Sequence, residues 1–322
     1  MQKVIILINK LTDWSAKDES DVLDQANEVE EGFISLGFSV SKLFMDLNLE
    51  EAKKILLESK PYLVFNLVEG LDGKANLIHF APALLESLHI PFTGCKQETM
   101  FITSNKIQAK KILDYNNIST PRFYKGSDDF ELNPGKTYIA KPLWEDASVG
   151  ITDTSVFIGH NSRIIEEFRK KWKNSFFIEE YIEGREFNVS VIGGEKGPEV
   201  MPLAEIVFNN YPEGKPKIMN YDAKWDSNTF EFYNTLRTFD ETSYDPRLKE
   251  SIIEIVLKCW DIFGIQGYAR VDFRVDKDNQ PFVLEINANP CIAKDSGFFA
   301  ACEKGGLSYG EMLKRLIFEA YR

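Results

Sequence analysis

The chain has 322 residues, 43% hydrophobic and 27% charged, which is long for one hydrophobic core and sets an expectation of two or three domains. Its net charge of −12 opposes a nucleic-acid partner, so an anionic nucleotide would have to be held by locally placed Lys, Arg, metal or backbone N–H groups. No apolar run approaches the ~20 residues of a membrane span. The opening Met1–Ile8 is too short for a targeting segment and reads as a first strand. Four scattered cysteines, Cys95, Cys259, Cys291 and Cys302, suit a reducing cytoplasmic compartment and make neither a disulfide frame nor a zinc site. His79, His89 and His160 stand alone and read as structural or exposed.

In chain order, the apolar run Val4 to Ile8 is followed by a polar loop and a helical segment around Val22 to Ser35. Gly37 to Phe44 gives a second strand, Glu50 to Glu58 a second helix and Tyr62 to Leu67 a third strand. Alternating strand and helix predicts a parallel, three-layer, Rossmann-like α/β unit over residues 1–96. Such units place ligands at the C-terminal ends of their strands. The loop Asn66–Gly73 sits at one such end, so Glu69 is either a partner for a substrate amine or part of a solvated turn. Ala81 to Leu88 reads as a helix, and Ile90–Gly94 closes the unit.

A central unit over 97–182 opens with Thr103-Ser-Asn-Lys-Ile. Ser104 is a plausible N-cap, which puts Lys106 in the first helical turn, against the helix dipole. A nearby phosphate would resolve that conflict; otherwise Lys106 is a solvated lysine. Lys136 to Pro142 is a strand ending in Lys141-Pro142, followed by a small-residue loop containing Ala147, Ser148 and Gly150. Its backbone N–H groups could lie over phosphates, although the loop is neither a Walker A motif nor G-x-G-x-x-G. From Phe176 a strand runs into a Glu-rich bend at Gly184. It then restarts with Glu186, Asn188 and Ser190 alternating against Phe187, Val189 and Val191, a natural boundary to a third unit over 183–322. Pro202 to Phe208 is another strand, and Met219 to Trp225 a polar loop. Ser251–Phe263 and Ser308–Tyr321 read as core-facing helices without a cofactor signal.

Gly267 to Val275 and Phe282 to Pro290 alternate with period two around the turn Asp276–Pro281, which predicts an antiparallel hairpin. If it is symmetric about residues 278 and 279, Asp272 faces Glu285 and Arg270 faces Asn287 on one side. Val271, Phe273, Leu284 and Ile286 then share the other. Opposed carboxylates repel, and a divalent cation between them would remove the repulsion. Two carboxylates and an amide oxygen form a set suited to Mg²⁺. The plain alternative is a solvated sheet face.

The order Arg270-x-Asp272, then Glu285-x-Asn287-x-x-Pro290, resembles the metal-binding hairpin of the ATP-grasp superfamily, most closely its D-alanine–D-alanine ligase branch. The resemblance implies an ATP-grasp fold: an N-terminal parallel α/β domain, a small central α+β domain and a C-terminal antiparallel-sheet domain. It implies two Mg²⁺ (or Mn²⁺) ions on Asp272, Glu285 and Asn287, and phosphates held by Lys106, Lys141 and Lys224 under the Ala147–Ser148 loop. It further places adenine against Glu179, Glu180, Tyr181 and Ile182, ribose on Glu186, an oxyanion on Arg270 and a substrate carboxylate on Ser296. ATP and small amino acids or peptides would be the ligands, in a possible homodimer. The chain departs from that branch at Ile8–Asp13, where a Gly-Gly-x-Ser-x-Glu opening is expected, and at Asn66–Gly70, where a His-Gly segment is expected. It departs again at Ala147 in place of Ser and Trp225 in place of Tyr. The expectation is therefore an ADP-forming carboxylate–amine ligase, working through an acyl phosphate, with a diverged acceptor pocket. A cell-wall D-alanine–D-alanine ligase and a non-catalytic ATP-binding regulatory module are the alternatives. A nicotinamide enzyme would need a glycine-rich turn after the first strand, which Leu7-Ile-Asn-Lys-Leu lacks.

Overall fold

The computed structural model describes residues 2–11, 17–128, 130–159 and 161–322, so His160 and the Thr12–Asp13 end of the departing Ile8–Asp13 segment lie outside the described residues. The N-terminal elements are β1 (Lys3–Asn9), α1 (Lys17–Ser35), β2 (Ser39–Met45), α2 (Leu49–Ser59), β3 (Leu63–Asn66) and α3 (Phe80–Ser87). They are followed by α4 (Gln97–Ser104), α5 (Lys106–Tyr115), β4 (Phe123–Lys125), β5 (Thr137–Pro142), β6 (Val156–Ile158), α6 (Ser162–Trp172) and β7 (Phe176–Glu180). Next come β8 (Arg185–Ile192), β9 (Glu199–Val200), β10 (Ala204–Phe208), α7 (Tyr221–Trp225), α8 (Phe230–Asn234) and β11 (Thr235–Thr238). The last are α9 (Pro246–Ile262), β12 (Tyr268–Val275), β13 (Pro281–Asn287), α10 (Gly297–Lys304) and α11 (Tyr309–Glu319).

The first sheet is parallel, in the order β2-β1-β3, with Ile6 paired to both Lys42 and Phe65. The apolar run of β1 is buried on both faces, as a sheet covered by helices on each side requires. Ile5 and Leu7 pack with Ala52 and Leu56 of α2 and Leu84 and Leu85 of α3. Val4, Ile6 and Ile8 pack with Val22, Ala26, Val29 and Phe33 of α1. This is the predicted three-layer unit.

A four-stranded antiparallel sheet, β4-β7-β5-β6, forms the small central unit over a core of Tyr138, Ala140, Phe157, Phe176 and Ile178. The large sheet runs β11-β10-β8-β12-β13, with β9 paired to β8. One face of it buries Phe187, Val189, Val271 and Phe273 against Leu248, Ile252 and Val256 of α9. That helix starts with Pro246 at its first turn and Asp245 as cap, accepting from the Arg247 N–H at 2.8 Å. The opposite face carries Glu186, Asn188, Arg270, Asp272 and Arg274 toward a cleft.

The hairpin places Asp272 opposite Glu285 and Arg270 opposite Asn287, as the alternation predicts. Leu284 departs from the prediction. The Asp276 carboxylate accepts from the Asp278 and Gln280 N–H groups and closes a tighter turn, which sets Val275 opposite Pro281 and Phe273 opposite Val283. A β-bulge at Leu284 restores the register above it and turns that side chain to the cleft, leaving Val283 in the core. Two further readings are corrected. Ser104 ends α4 and bonds to the Phe101 carbonyl, so the cap of α5 is Asn105, which accepts from the Gln108 N–H at 3.1 Å. Met219–Trp225 is not all loop, because Asn220 caps the short helix α7.

His79 lies edge-on against Phe80 and Phe101, and His89 is exposed. The four cysteines are free thiols. Among the described residues no helix is long and apolar enough to cross a membrane.

Candidate active site

The small and large antiparallel sheets face each other across an open cleft of about 830 Å³. Lys106 is the first residue of α5, and its side chain is 5% exposed. It donates to Asp146 Oδ1 at 2.8 Å and to the Glu145 carbonyl at 2.7 Å, and lies 3.6 Å from Glu285 Oε2. Burial pulls its pKa down, but Asp146, Glu285 and Glu145 outweigh burial and hold it above the ordinary lysine value. The conflict with the helix dipole is therefore met here by carboxylates.

Glu179 on β7 is fully buried between two lysines: Lys141 on β5 reaches Oε1 at 2.7 Å and Lys110 on α5 reaches Oε2 at 2.6 Å. Burial favours the neutral acid, and the two ammonium groups reverse that and hold its carboxyl below the usual range. The Lys110 pKa is itself lowered by burial. Glu186 on β8 is pushed up by burial, with the Arg274 guanidinium 3.4 Å away as its counter-charge. Arg274 also donates to Tyr181 Oη and the Lys217 carbonyl, both at 2.7 Å, and lies over the Tyr181 ring. Glu180 turns its carboxylate to Lys136 at 2.8 Å, and its N–H bonds to the Arg122 carbonyl. Glu180, Tyr181 and Ile182 all line the cleft.

Arg270 forms a two-pronged pair with Asp272, at 2.7 and 2.8 Å. Burial would raise the Glu285 pKa, but Lys106, Lys141, Arg270 and Lys224 bring it down to about 2. Burial, then Arg270, lowers the Lys224 pKa. The Asn287 amide oxygen accepts from the Asn289 N–H at 2.9 Å. Carboxylate and amide oxygens keep further lone pairs beyond these bonds, so the donor chemistry of Asp272, Glu285 and Asn287 fits a hard divalent cation. The set holds only two carboxylates, and no group of three or more His, Cys, Asp or Glu placed to hold a metal occurs among the described residues.

A second cavity of about 1820 Å³ adjoins the first and shares Glu145, Asp146, Lys224 and Arg270 with it. Its lining includes Glu69, Ala147, Trp225 and Asn287. Glu69 is set at the strand ends, where its N–H donates to Asn9 Oδ1 at 3.3 Å. The sequence reading missed Asp21, which lines this cavity from α1, with the Cys291 thiol donating to it at 3.5 Å. Burial raises its carboxyl pKa. The available signal was polarity beside an apolar stripe: Asp21 and Gln25 lie four apart, next to the buried Val22, Ala26 and Val29. Ser296 is not among the residues lining either cavity; its hydroxyl caps α10 by accepting from the Phe299 N–H.

The loop between the cavities carries two successive non-glycine residues at positive φ, Ala147 (54°) and Ser148 (64°). Left-handed backbone costs about 1–2 kcal/mol per such residue. Two bonds oppose that cost: the Trp225 indole N–H to the Ala147 carbonyl at 3.0 Å, and the Ser148 hydroxyl to the Met219 carbonyl at 2.7 Å.

The sequence model of the family described as D-ala D-ala ligase C-terminus matches residues 131–318, more than half of the chain. A D-alanine–D-alanine ligase from Carboxydothermus hydrogenoformans is 29% identical over 293 residues, covering 87% of each chain. An uncharacterized protein, y4sG, from Sinorhizobium fredii is 28% identical over 275 residues, 81% of this chain and 75% of that one. In fold, the chain superposes on a D-alanine–D-alanine ligase from Bacillus anthracis complexed with ATP. The TM-score is 0.76 at 21% identity, covering 100% of this chain and 98% of the other.

Proposed function

The chain belongs to the D-alanine–D-alanine ligase family of ATP-grasp enzymes and is an ADP-forming carbon–nitrogen ligase, and from that premise we propose that it joins an amino-acid or peptide carboxylate to an amine in an acceptor pocket diverged from that of D-alanine–D-alanine ligases. We read residues 1–96, 97–182 and 183–322 as its three units. The observation that carries the proposal is the shared wall of the two cavities. Lys224 and Arg270 face both, so a nucleotide in the first and a carboxylate in the second meet between these two cations.

In this reading adenine lies along Glu179, Glu180, Tyr181 and Ile182, the ribose meets Glu186, and the triphosphate runs toward Lys106, Lys141, Ser148 and Lys224. A substrate carboxylate oxygen attacks the γ-phosphorus. The bond from γ-phosphorus to the bridging oxygen breaks, giving an acyl phosphate and ADP. The amine then adds to the carbonyl, and phosphate leaves with the former carboxylate oxygen. Lys106, Lys141 and Lys224 neutralise phosphate charge and fix the line of attack. Arg270 stabilises the oxyanion, a contribution typically worth about 3 kcal/mol. Mg²⁺ on Asp272, Glu285 and Asn287 would supply further charge neutralisation at the phosphates.

Divergence of the pocket is supported at three places. Ala147 has no hydroxyl to offer a substrate. Trp225 spends its N–H on the Ala147 carbonyl. Asp21 joins Glu69 on the cavity wall, where either carboxylate suits a substrate ammonium. The test is phosphate release from ATP and Mg²⁺ with D- and L-amino acids, singly and in pairs. Release with a pair other than D-alanine twice supports the proposal. Release with D-alanine alone makes the chain a D-alanine–D-alanine ligase and overturns the divergence. ATP binding with silence across the panel favours a larger substrate or a regulatory module.

A further inference from the structure

Lys110 has no place in the chemistry above. It lies behind the cleft wall, 1% exposed, and does not line either cavity. Its position is built on both sides. The ammonium sits 2.6 Å from Glu179 Oε2 and donates to Thr120 Oγ1 at 2.8 Å, and the Thr120 hydroxyl donates to the Val283 carbonyl at 2.8 Å. Val283 is the residue beside the bulge that turns Leu284 to the cleft. Lys141 takes the other Glu179 oxygen from the cleft side and does line the cavity.

One buried carboxylate thus has two ammonium partners, one on each side of the wall. With Lys141 alone, Glu179 and Lys141 would cancel. Moving Lys141 to an anionic ligand would then strand a buried carboxylate without a counter-charge, which is strongly unfavourable. With Lys110 behind, Glu179 stays compensated when Lys141 turns away, and the cluster's surplus positive charge faces the cleft. We propose that Lys110 is a positioning residue: it acts as the permanent counter-ion of Glu179 and so releases Lys141 to bind the phosphates of the nucleotide. The inference rests on reading the cleft as an ATP site. A ligand without phosphates leaves Lys141 on Glu179, so the carboxylate beside the adenine stays compensated even without Lys110, and adenosine binding should change little.

The experiment measures ATP (with Mg²⁺) and adenosine binding by calorimetry to the full chain, to Lys110→Met, to Glu179→Gln and to the double variant. Lys110→Met is expected to weaken ATP about 10-fold or more while adenosine changes less than about 2-fold. In the Glu179→Gln background the same substitution should change ATP affinity less than about 3-fold, because no carboxylate is left to compensate. Equal losses for ATP and adenosine, or the same ATP loss in both backgrounds, would show that Lys110 only supports the fold and would overturn the proposal. Should Lys110→Met fail to fold, comparing Glu179→Gln with the double variant decides the question: an ATP affinity that drops about 10-fold between them refutes it. Absence of ATP binding by the unsubstituted chain would refute the functional reading itself, a result distinct from either of these.

Discussion

Replacing Trp225 by Phe keeps an aromatic ring and removes one bond, the 3.0 Å indole N–H to the Ala147 carbonyl. The loop at the other end of that bond is strained, with two non-glycine residues in a row at positive φ. The strain amounts to about 2–4 kcal/mol in total. A single intramolecular hydrogen bond contributes about 1 kcal/mol net. The Ser148 hydroxyl bond to Met219 contributes a similar amount. Removing the Trp225 bond should therefore shift the loop's equilibrium away from its seated form by about 5-fold. Where seating precedes nucleotide retention, the KM for ATP rises by that factor, while the KM for the amino acid changes only as far as Trp225 touches it. Limited proteolysis around residues 145–151 should accelerate in parallel, and nucleotide should restore protection. An unchanged KM for ATP together with unchanged cleavage would show that the bond does not hold the loop.

Other outcomes follow from neighbouring contacts. Arg270→Ala should lower kcat by about 100-fold or more, with an unchanged far-ultraviolet dichroism spectrum; near-normal turnover would remove Arg270 from the oxyanion role. Asp272→Asn and Glu285→Gln should abolish turnover and its dependence on added Mg²⁺ while the fold persists, and full activity in either would sink the metal assignment. The Glu285 carboxyl is held down at about 2, against an ordinary value of 4.5. A depressed carboxyl stabilises the fold fully above its unfolded value and loses that stabilisation as pH falls through the folded one, here between about pH 4.5 and 2. Glu285→Gln should flatten the fall in Tm across that window, and parallel curves would contradict the ion-pair assignment. Gly150 has φ +75°, and a Cβ there would lie 2.4 Å from the Trp172 ring. Gly150→Ala should therefore displace the loop and raise the KM for ATP, and unchanged kinetics would show that the loop adapts at no cost.

The parts of this site readable in the sequence are those set by local periodicity. The pairing of Asp272 with Glu285 follows from period two and a polar turn. The bulge at Leu284 does not, because it depends on the Asp276 side chain closing the turn one residue tighter. Lys106 could be singled out because it opposes a helix dipole, although the cap of its helix is Asn105 rather than the expected Ser104. Lys110, one turn further along the same helix, carries no such local signal. Only tertiary contact with Glu179, on a distant strand, makes it a buried ion. Asp21 was hidden for a similar reason, since a charged residue beside an apolar stripe is ordinary until the sheet and the Cys291 loop close over it. Ser296 adds a local role that matching residues do not reveal: its hydroxyl caps α10 by accepting from the Phe299 N–H, which leaves its own O–H to donate.

The central claim is that a substrate carboxylate is activated by phosphoryl transfer from ATP. The most direct test supplies the accepted amino acid with its carboxylate oxygens labelled with ¹⁸O and follows the label by mass spectrometry. The account predicts one labelled oxygen in each phosphate released, transferred through the acyl phosphate. Product formed with unlabelled phosphate would contradict it.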